Sequence, residues 1–138
     1  MSAEFSWNVR VYYEDTDTGG IVYYANYLKF YERARTEWLR ALGVGQQMMK
    51  DELNAIFVVK SVSVEYHAAA KLDDVLQLKL RIEKLGRASL VCAQEIWCGE
   101  QLLNTAQVKV GCVDLALRPC AIPAPVVAKM RGPQASQE

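Results

Sequence analysis

Apolar residues along this chain change their spacing twice, and the changes mark out its elements. Phe5–Tyr13 alternates, with Trp7, Val9, Val11 and Tyr13 on one side and Asn8 and Arg10 on the other, the period of a half-buried strand. From Tyr27 the spacing is helical. Tyr27, Leu28, Tyr31, Ala34, Trp38, Leu39 and Leu42 form one stripe, and Lys29, Glu32, Arg33, Glu37 and Arg40 lie mostly opposite. Glu32–Arg35 and Glu37–Arg40 stand at i,i+3, where ion pairs form. Gly43 is the expected stop, so the pattern predicts a helix over about Val22–Leu42, roughly 30 Å long at 1.5 Å per residue. Val44–Leu53, with Met48, Met49 and Leu53 at helical spacing, predicts a second, short helix.

Beyond Ile56 the period is two. Val58, Val62, Val64 and Tyr66 are placed on one face, and Ser61, Ser63 and Glu65 on the other. After the turn residues Lys71–Asp74, Leu76, Leu78, Leu80 and Ile82 alternate with Gln77, Lys79, Arg81 and Glu83. Gly86–Arg87 turns the chain into Ala88–Trp97, Gly99–Glu100 makes a hairpin turn, and Leu103–Val113 carries Ala106, Val108, Val110 and Cys112 on one face. Short turns imply antiparallel neighbours among the last four strands, and a single apolar face is left for the long helix to cover; the class is α+β. Beyond Arg118, Pro119, Pro123, Pro125 and the polar end RGPQASQE predict a non-repetitive tail, frayed from about residue 131.

Composition narrows the picture. No Ser/Gly-rich or Pro-rich stretch divides the 138 residues, so a single domain over 1–138 is expected. Sixteen basic and sixteen acidic residues balance, which gives no electrostatic basis for nucleic-acid binding. Cys92, Cys98, Cys112 and Cys120 lack C-x-x-C spacing and His67 is the one histidine, so no metal site is expected and the thiols read as reduced core residues. MSAEFSWNVRV carries an acid where a signal peptide would be basic, and no apolar run approaches the ~20 residues of a membrane span. A cytoplasmic protein without an integral membrane segment is the expectation.

The chemistry concentrates in YYEDTDTGG. Glu14, Asp15 and Asp17 set three carboxylates just ahead of the long helix, and Gly19–Gly20 permits a tight backbone course between them and it. A calcium loop does not fit, because the fifth position is Gly19 and the twelfth is Asn26. Two readings stay open on the residues alone: Asx turns or helix capping by the aspartates, or a catalytic carboxylate delivered beside a helix N-terminus.

YEDTD followed by GG, VY, and the ERAR of the helix resembles the signature of the 4-hydroxybenzoyl-CoA thioesterase family. YYEDTD together with ERARTEWLR is similar to its YbgC branch, the acyl-CoA thioesterases associated with the Tol–Pal system, and the likeness continues through VEYHAAAKLDDVLQL and CVDLALRPCAIP. The resemblance implies a hotdog fold, a curved antiparallel sheet of about five strands wrapped around one long central helix. It implies hydrolysis of acyl-CoA thioesters, or of acyl-carrier-protein thioesters by the same chemistry, with no cofactor; a non-catalytic module binding acyl carrier protein or a cell-envelope partner is the alternative. It further implies a homodimer or homotetramer with the site at the subunit interface, peripheral to the inner membrane.

Carried over residue by residue, the family's carboxylate falls on Asp17, as nucleophile or general base. Its oxyanion donor falls on the backbone N–H of Tyr24, with Gly20 and Tyr23 beside it as substrate-binding residues. Its coenzyme A phosphate contact falls on Arg87, which opens Arg87-Ala88-Ser89 and whose alternative is a solvated turn cation, with Ser89 in the same segment and Lys60, Lys84 and Arg118 as looser candidates. Tyr24 stands where many YbgC-type relatives carry histidine, which leaves the acyl preference open. His67, at a strand end, reads as a packed or surface residue.

Overall fold

The computed structural model describes the backbone of residues 4–136 and the side chains of residues 4–132. Five strands, β1 (Phe5–Arg10), β2 (Ile56–Tyr66), β3 (Val75–Leu85), β4 (Ser89–Cys98) and β5 (Gln101–Val113), form one sheet in the order β1-β3-β4-β5-β2. Every pairing is antiparallel. Three helices complete it: α1 (Tyr27–Ala41), α2 (Gln46–Leu53) and α3 (Ala124–Ser136). Among the described residues no helix is long and apolar enough to cross a membrane.

The alternation read from the sequence sets the inner face of the sheet. Leu76, Leu78, Leu80 and Ile82 of β3, Leu90, Cys92 and Ile96 of β4, and Val108, Val110 and Cys112 of β5 are all buried, and α1 lies against them through Tyr27, Phe30, Tyr31, Ala34, Trp38 and Leu39. Each large side chain so buried contributes about 1.5–3 kcal/mol. Phe30 is wholly buried whereas Leu28, counted in the apolar stripe, is 42 % exposed, so the contact face is rotated slightly from the expected one. Gly43 ends α1 at φ +80°, with its own N–H on the Arg40 carbonyl and the Val44 N–H on the Leu39 carbonyl, a Schellman closure. Glu37–Arg40 forms the expected ion pair at 2.7 Å.

Five expectations are corrected. α1 begins at Tyr27, not near Val22; the preceding residues Tyr24–Asn26 form one 3₁₀ turn, and Val22 is pinned outside the helix by its N–H bond to the Ala70 carbonyl. No Glu32–Arg35 ion pair forms among the described contacts, because the Arg35 guanidinium turns inward to Gln94 at 3.0 Å. β2 and β3 are not neighbours: residues 67–74 carry the chain from one side of the β3-β4-β5 meander to the other. Eight extended residues reach well beyond the ~14 Å of three strand spacings, so a link that looked like a turn serves as a crossover. Val58 does not share a face with Val62. Lys60 is the extra residue of a bulge between Val59 and Ser61, so the inward set is Phe57 and Val59 before it and Val62, Val64 and Tyr66 after it, opposite Val108, Ala106 and Asn104. Finally, the tail beyond Pro123 is helical through Ser136, anchored by buried Val126 and Met130 one turn apart; residues 137–138 lie outside the described part.

Candidate active site

The crossover positions the acidic motif. Residues 67–74 pass beneath the head of α1, where the Val22 N–H donates to the Ala70 carbonyl at 2.9 Å, Ile21 bridges Lys71, and the Leu72 N–H donates to the Gly20 carbonyl at 3.3 Å. Tyr27 fastens the same link from the helix side, its Oη accepting the Ala70 N–H at 3.0 Å, and its burial raises the phenol's pKa.

Within this frame the two aspartates divide their labour. Asp15 is buried: Oδ2 accepts the Tyr12 N–H at 2.9 Å, Oδ1 accepts from Asn26 Nδ2 at 3.0 Å, and its carbonyl accepts the Tyr23 N–H at 3.0 Å. One carboxylate thereby ties the end of the first strand to the 3₁₀ turn that leads into α1. Asp17 is exposed. Its Oδ1 accepts the Gly19 N–H at 2.8 Å in an Asx turn, its carbonyl accepts the Gly20 N–H at 3.0 Å, and Thr16 and Val22 bridge on either side. No acceptor or donor among the described residues engages Oδ2, which is left toward solvent. Gly20 takes φ +79°, a conformation that favours glycine, and a β-carbon at Gly19 would stand 3.3 Å from Asp17 Oδ1.

Tyr24 opens the 3₁₀ turn, and among the described residues nothing accepts from its N–H, the usual state of the first amides of a helical turn. Its carbonyl is held by the Tyr66 hydroxyl at 3.0 Å. Tyr24, Tyr27, Tyr66, His67, Ala68 and Ile21 line a hollow at this end of the sheet. Tyr23 packs beside it, ring centroids 4.9 Å apart, and the Tyr24 hydroxyl raises the Tyr23 phenol's pKa through a hydrogen bond. Tyr66 and His67 therefore join the candidate set, although the sequence reading left the first in a strand and the second aside. Their one sequence signal is the length of the link that follows them. His67 Nε2 lies 3.1 Å from Thr105 Oγ1.

Arg87, Ser89 and Lys60 gather elsewhere. Arg87 stands exposed in the turn from β3 to β4, closed by the Gly86 N–H bond to the Ser89 carbonyl at 2.8 Å. Ser89 pairs with Gly111, and the Lys60 side chain lies across Gly111, its Cδ 2.7 Å from where a β-carbon would sit. Ser89, Gly111 and the Lys60 side chain share the outer face, whereas Tyr66, which holds Tyr24, pairs with Asn104 on the inner face. From Asn104 to Gly111 is about 23 Å along β5 at ~3.3 Å per residue. One chain thus holds its candidate residues in two clusters at opposite ends of its sheet.

The comparisons with known proteins bear on what kind of protein carries these clusters. Residues 19–105 match the model of the thioesterase superfamily. The chain belongs to that superfamily. Within it the chain is of the YbgC type: it is 47 % identical over 125 residues to the acyl-CoA thioesterase YbgC of Haemophilus influenzae, covering 90 % of this chain and 92 % of that one. It is 50 % identical over 129 residues to the acyl-CoA thioester hydrolase YbgC of Escherichia coli O6:H1, covering 92 % and 96 %. Among solved structures, a probable thioesterase from Bartonella henselae superposes with a TM-score of 0.85 at 34 % identity, covering 88 % of this chain and all of that one. The thioesterase superfamily's hotdog architecture, an antiparallel sheet wrapped on one long helix, is the one described above.

Proposed function

We propose that this thioesterase-superfamily chain hydrolyses the thioester bond of acyl-CoA, with the Asp17 carboxylate as the reacting group and the Tyr24 N–H as the donor to the developing oxyanion. The observation that carries the reading is the division between the aspartates: Asp15 satisfies the loop's structural needs, so Asp17, with one oxygen uncommitted, is spare for chemistry. Asp17 either attacks the carbonyl or takes a proton from the water that does; the thiolate leaves readily, so no metal or histidine is called for. The Tyr24 amide, at the head of the turn that continues into α1, sits at the positive end of aligned peptide dipoles. Gly20 and Tyr23 shape the entry, and the acyl group lies in the hollow beside Tyr66 and His67.

Arg87, Ser89 and Lys60 hold the phosphates of coenzyme A in the partner subunit's site. β1 and β2 are the two edges of the sheet, and β2 offers eleven residues without proline. Two copies joined antiparallel through β2 place the Tyr66 end of one beside the Ile56 end of the other, so the Tyr24 cluster of one chain and the Arg87–Ser89 cluster of its partner come to the same end of the joined sheet. The domain spans the whole chain and works in the cytoplasm, where acyl-CoA is made; acyl-carrier-protein thioesters are substrates by the same chemistry.

The test is a panel of acyl-CoA esters from short aliphatic through malonyl and hydroxybenzoyl to long-chain, scored by free thiol release. Turnover of at least one ester well above the solvent rate is expected; a folded, oligomeric protein inert to all of them overturns the reading in favour of a binding module.

A further inference from the structure

Cys112 and Cys120 stand apart from everything assigned above. Cys112 is near the end of β5, and the chain then turns at Asp114–Arg118 and runs back beside that strand: Val113 bridges Pro119, the Asp114 N–H donates to the Arg118 carbonyl at 2.9 Å, and the Cys120 N–H donates to the Cys112 carbonyl at 3.0 Å. This register makes Cys112 and Cys120 direct antiparallel partners. Residues so opposed have α-carbons about 4.5–5.5 Å apart, inside the 4.4–6.8 Å that a disulfide spans. The side chains already meet, Sγ to Sγ 3.6 Å, so bond formation asks for a side-chain rotation and no backbone travel.

The two thiols are unequal. Cys112 is 1 % exposed, and burial together with the neighbouring Cys120 thiol pushes its pKa up to about 12. Cys120 is only partly buried and is the sulfur that a reagent reaches first. The pair also has a mechanical link to the turn that bears Arg87, because two residues beyond Cys120 the Ile122 N–H donates to the Arg87 carbonyl at 2.8 Å, and the Cys112 N–H donates to the Ala88 carbonyl at 2.9 Å.

We propose that Cys112 and Cys120 are a reversible thiol–disulfide modification site, oxidised by low-molecular-weight disulfides, whose bridge clamps the returning segment 119–122 against β5 and the Arg87 turn. The Cys120 thiolate attacks one sulfur of the small disulfide and expels one small thiolate, which takes up a proton. The Cys112 thiol then gives its proton to solvent and attacks the Cys120 sulfur of the mixed disulfide, expelling the second small thiol. One small disulfide and two protein thiols become one protein disulfide and two small thiols. Cys92 is buried with a thiol pKa pushed up to about 12, and none of the described thiols lies beside Cys98, so both serve as internal controls.

Incubating the full chain with oxidised glutathione, quenching in acid and mapping peptides tests this. The expected product has lost two hydrogens and carries a peptide cross-linked between Cys112 and Cys120, and reduced glutathione reverses it. Cys112→Ser should instead hold one glutathione on Cys120. Amide hydrogen exchange at Ile122 is expected to slow severalfold in the oxidised chain. A wild-type chain that accumulates glutathione on Cys120 without bridging, or that reacts only at Cys98, overturns the site; a bridge that leaves Ile122 exchange unchanged overturns the clamp.

Discussion

The two ends of β5 are held by different means. At the Asn104 end, Asp15, Asn26 and Tyr27 fix the backbone around Asp17 and Tyr24 through buried or partly buried hydrogen bonds, and an exposed bond from Tyr66 and the backbone bonds of the 67–74 crossover add to them. At the Gly111 end, Arg87 and Lys60 are long, exposed side chains on a tight turn and a bulge. Chemistry on a carbonyl depends on placement within fractions of an ångström, whereas an exposed cation meets a phosphate through a flexible arm and contributes mainly charge. Under the proposed function, rigid backbone goes with bond breaking and mobile charge with carrier binding, and substitutions at the two ends should fail in different ways.

The largest effect is expected at Asp17. Asp17→Asn keeps the Gly19 hydrogen bond through its amide oxygen, so the fold should stand while turnover falls about 10²–10⁴-fold, the range for losing a positioned acid–base group. Retained wild-type hydrolysis by the folded variant would remove Asp17 from the chemistry. Next comes its neighbour. Asp15→Ala leaves the Tyr12 N–H and the Asn26 amide without their acceptor, and should cost about 1–3 kcal/mol in a denaturant titration as well as activity. An unchanged midpoint would show that the loop is held by other means. Smallest is Arg87→Ala, which should raise KM for a CoA ester about 1.4- to fivefold, in line with ~0.2–1 kcal/mol for an exposed ion pair, with kcat and the matching pantetheine ester unaffected. Equal loss on the pantetheine ester would rule out a phosphate contact.

Much of this architecture was legible because burial imposes period. Leu76 to Ile82 and Ala106 to Cys112 alternate as an inner face must, and Tyr31, Ala34 and Trp38 repeat as one side of a helix must. Features set by non-local contacts were not. Nothing in HAAAKLDD distinguishes a turn from a crossover, and only the partners Leu103, Tyr27 and Val22 make it one. The bulge at Lys60 leaves no mark in FVVKSVSV, so strict alternation places Val58 on the wrong face. Pro123 and Pro125 suggested an irregular tail, yet proline is tolerated at a helix start, and Val126 and Met130 supply the buried anchor. At the site, the resemblance singled out Asp17, while the structural duty of Asp15 rests on Asn26 and Tyr12, contacts that spacing alone does not reveal.

In the proposed assembly Asp17 of one subunit and Arg87 of another serve a single site. Mixing the Asp17→Asn and Arg87→Ala chains, exchanging subunits by dilution and reassociation, and measuring KM for a CoA ester tests it most directly. Neither parent combines turnover with wild-type KM. In a mixed oligomer the Arg87→Ala chain supplies an intact Asp17 and the Asp17→Asn chain an intact Arg87, so a fraction of sites with both wild-type turnover and wild-type KM should appear. A mixture that shows only the raised KM of the Arg87→Ala parent would place both residues in a site made by one chain and rule out the shared one.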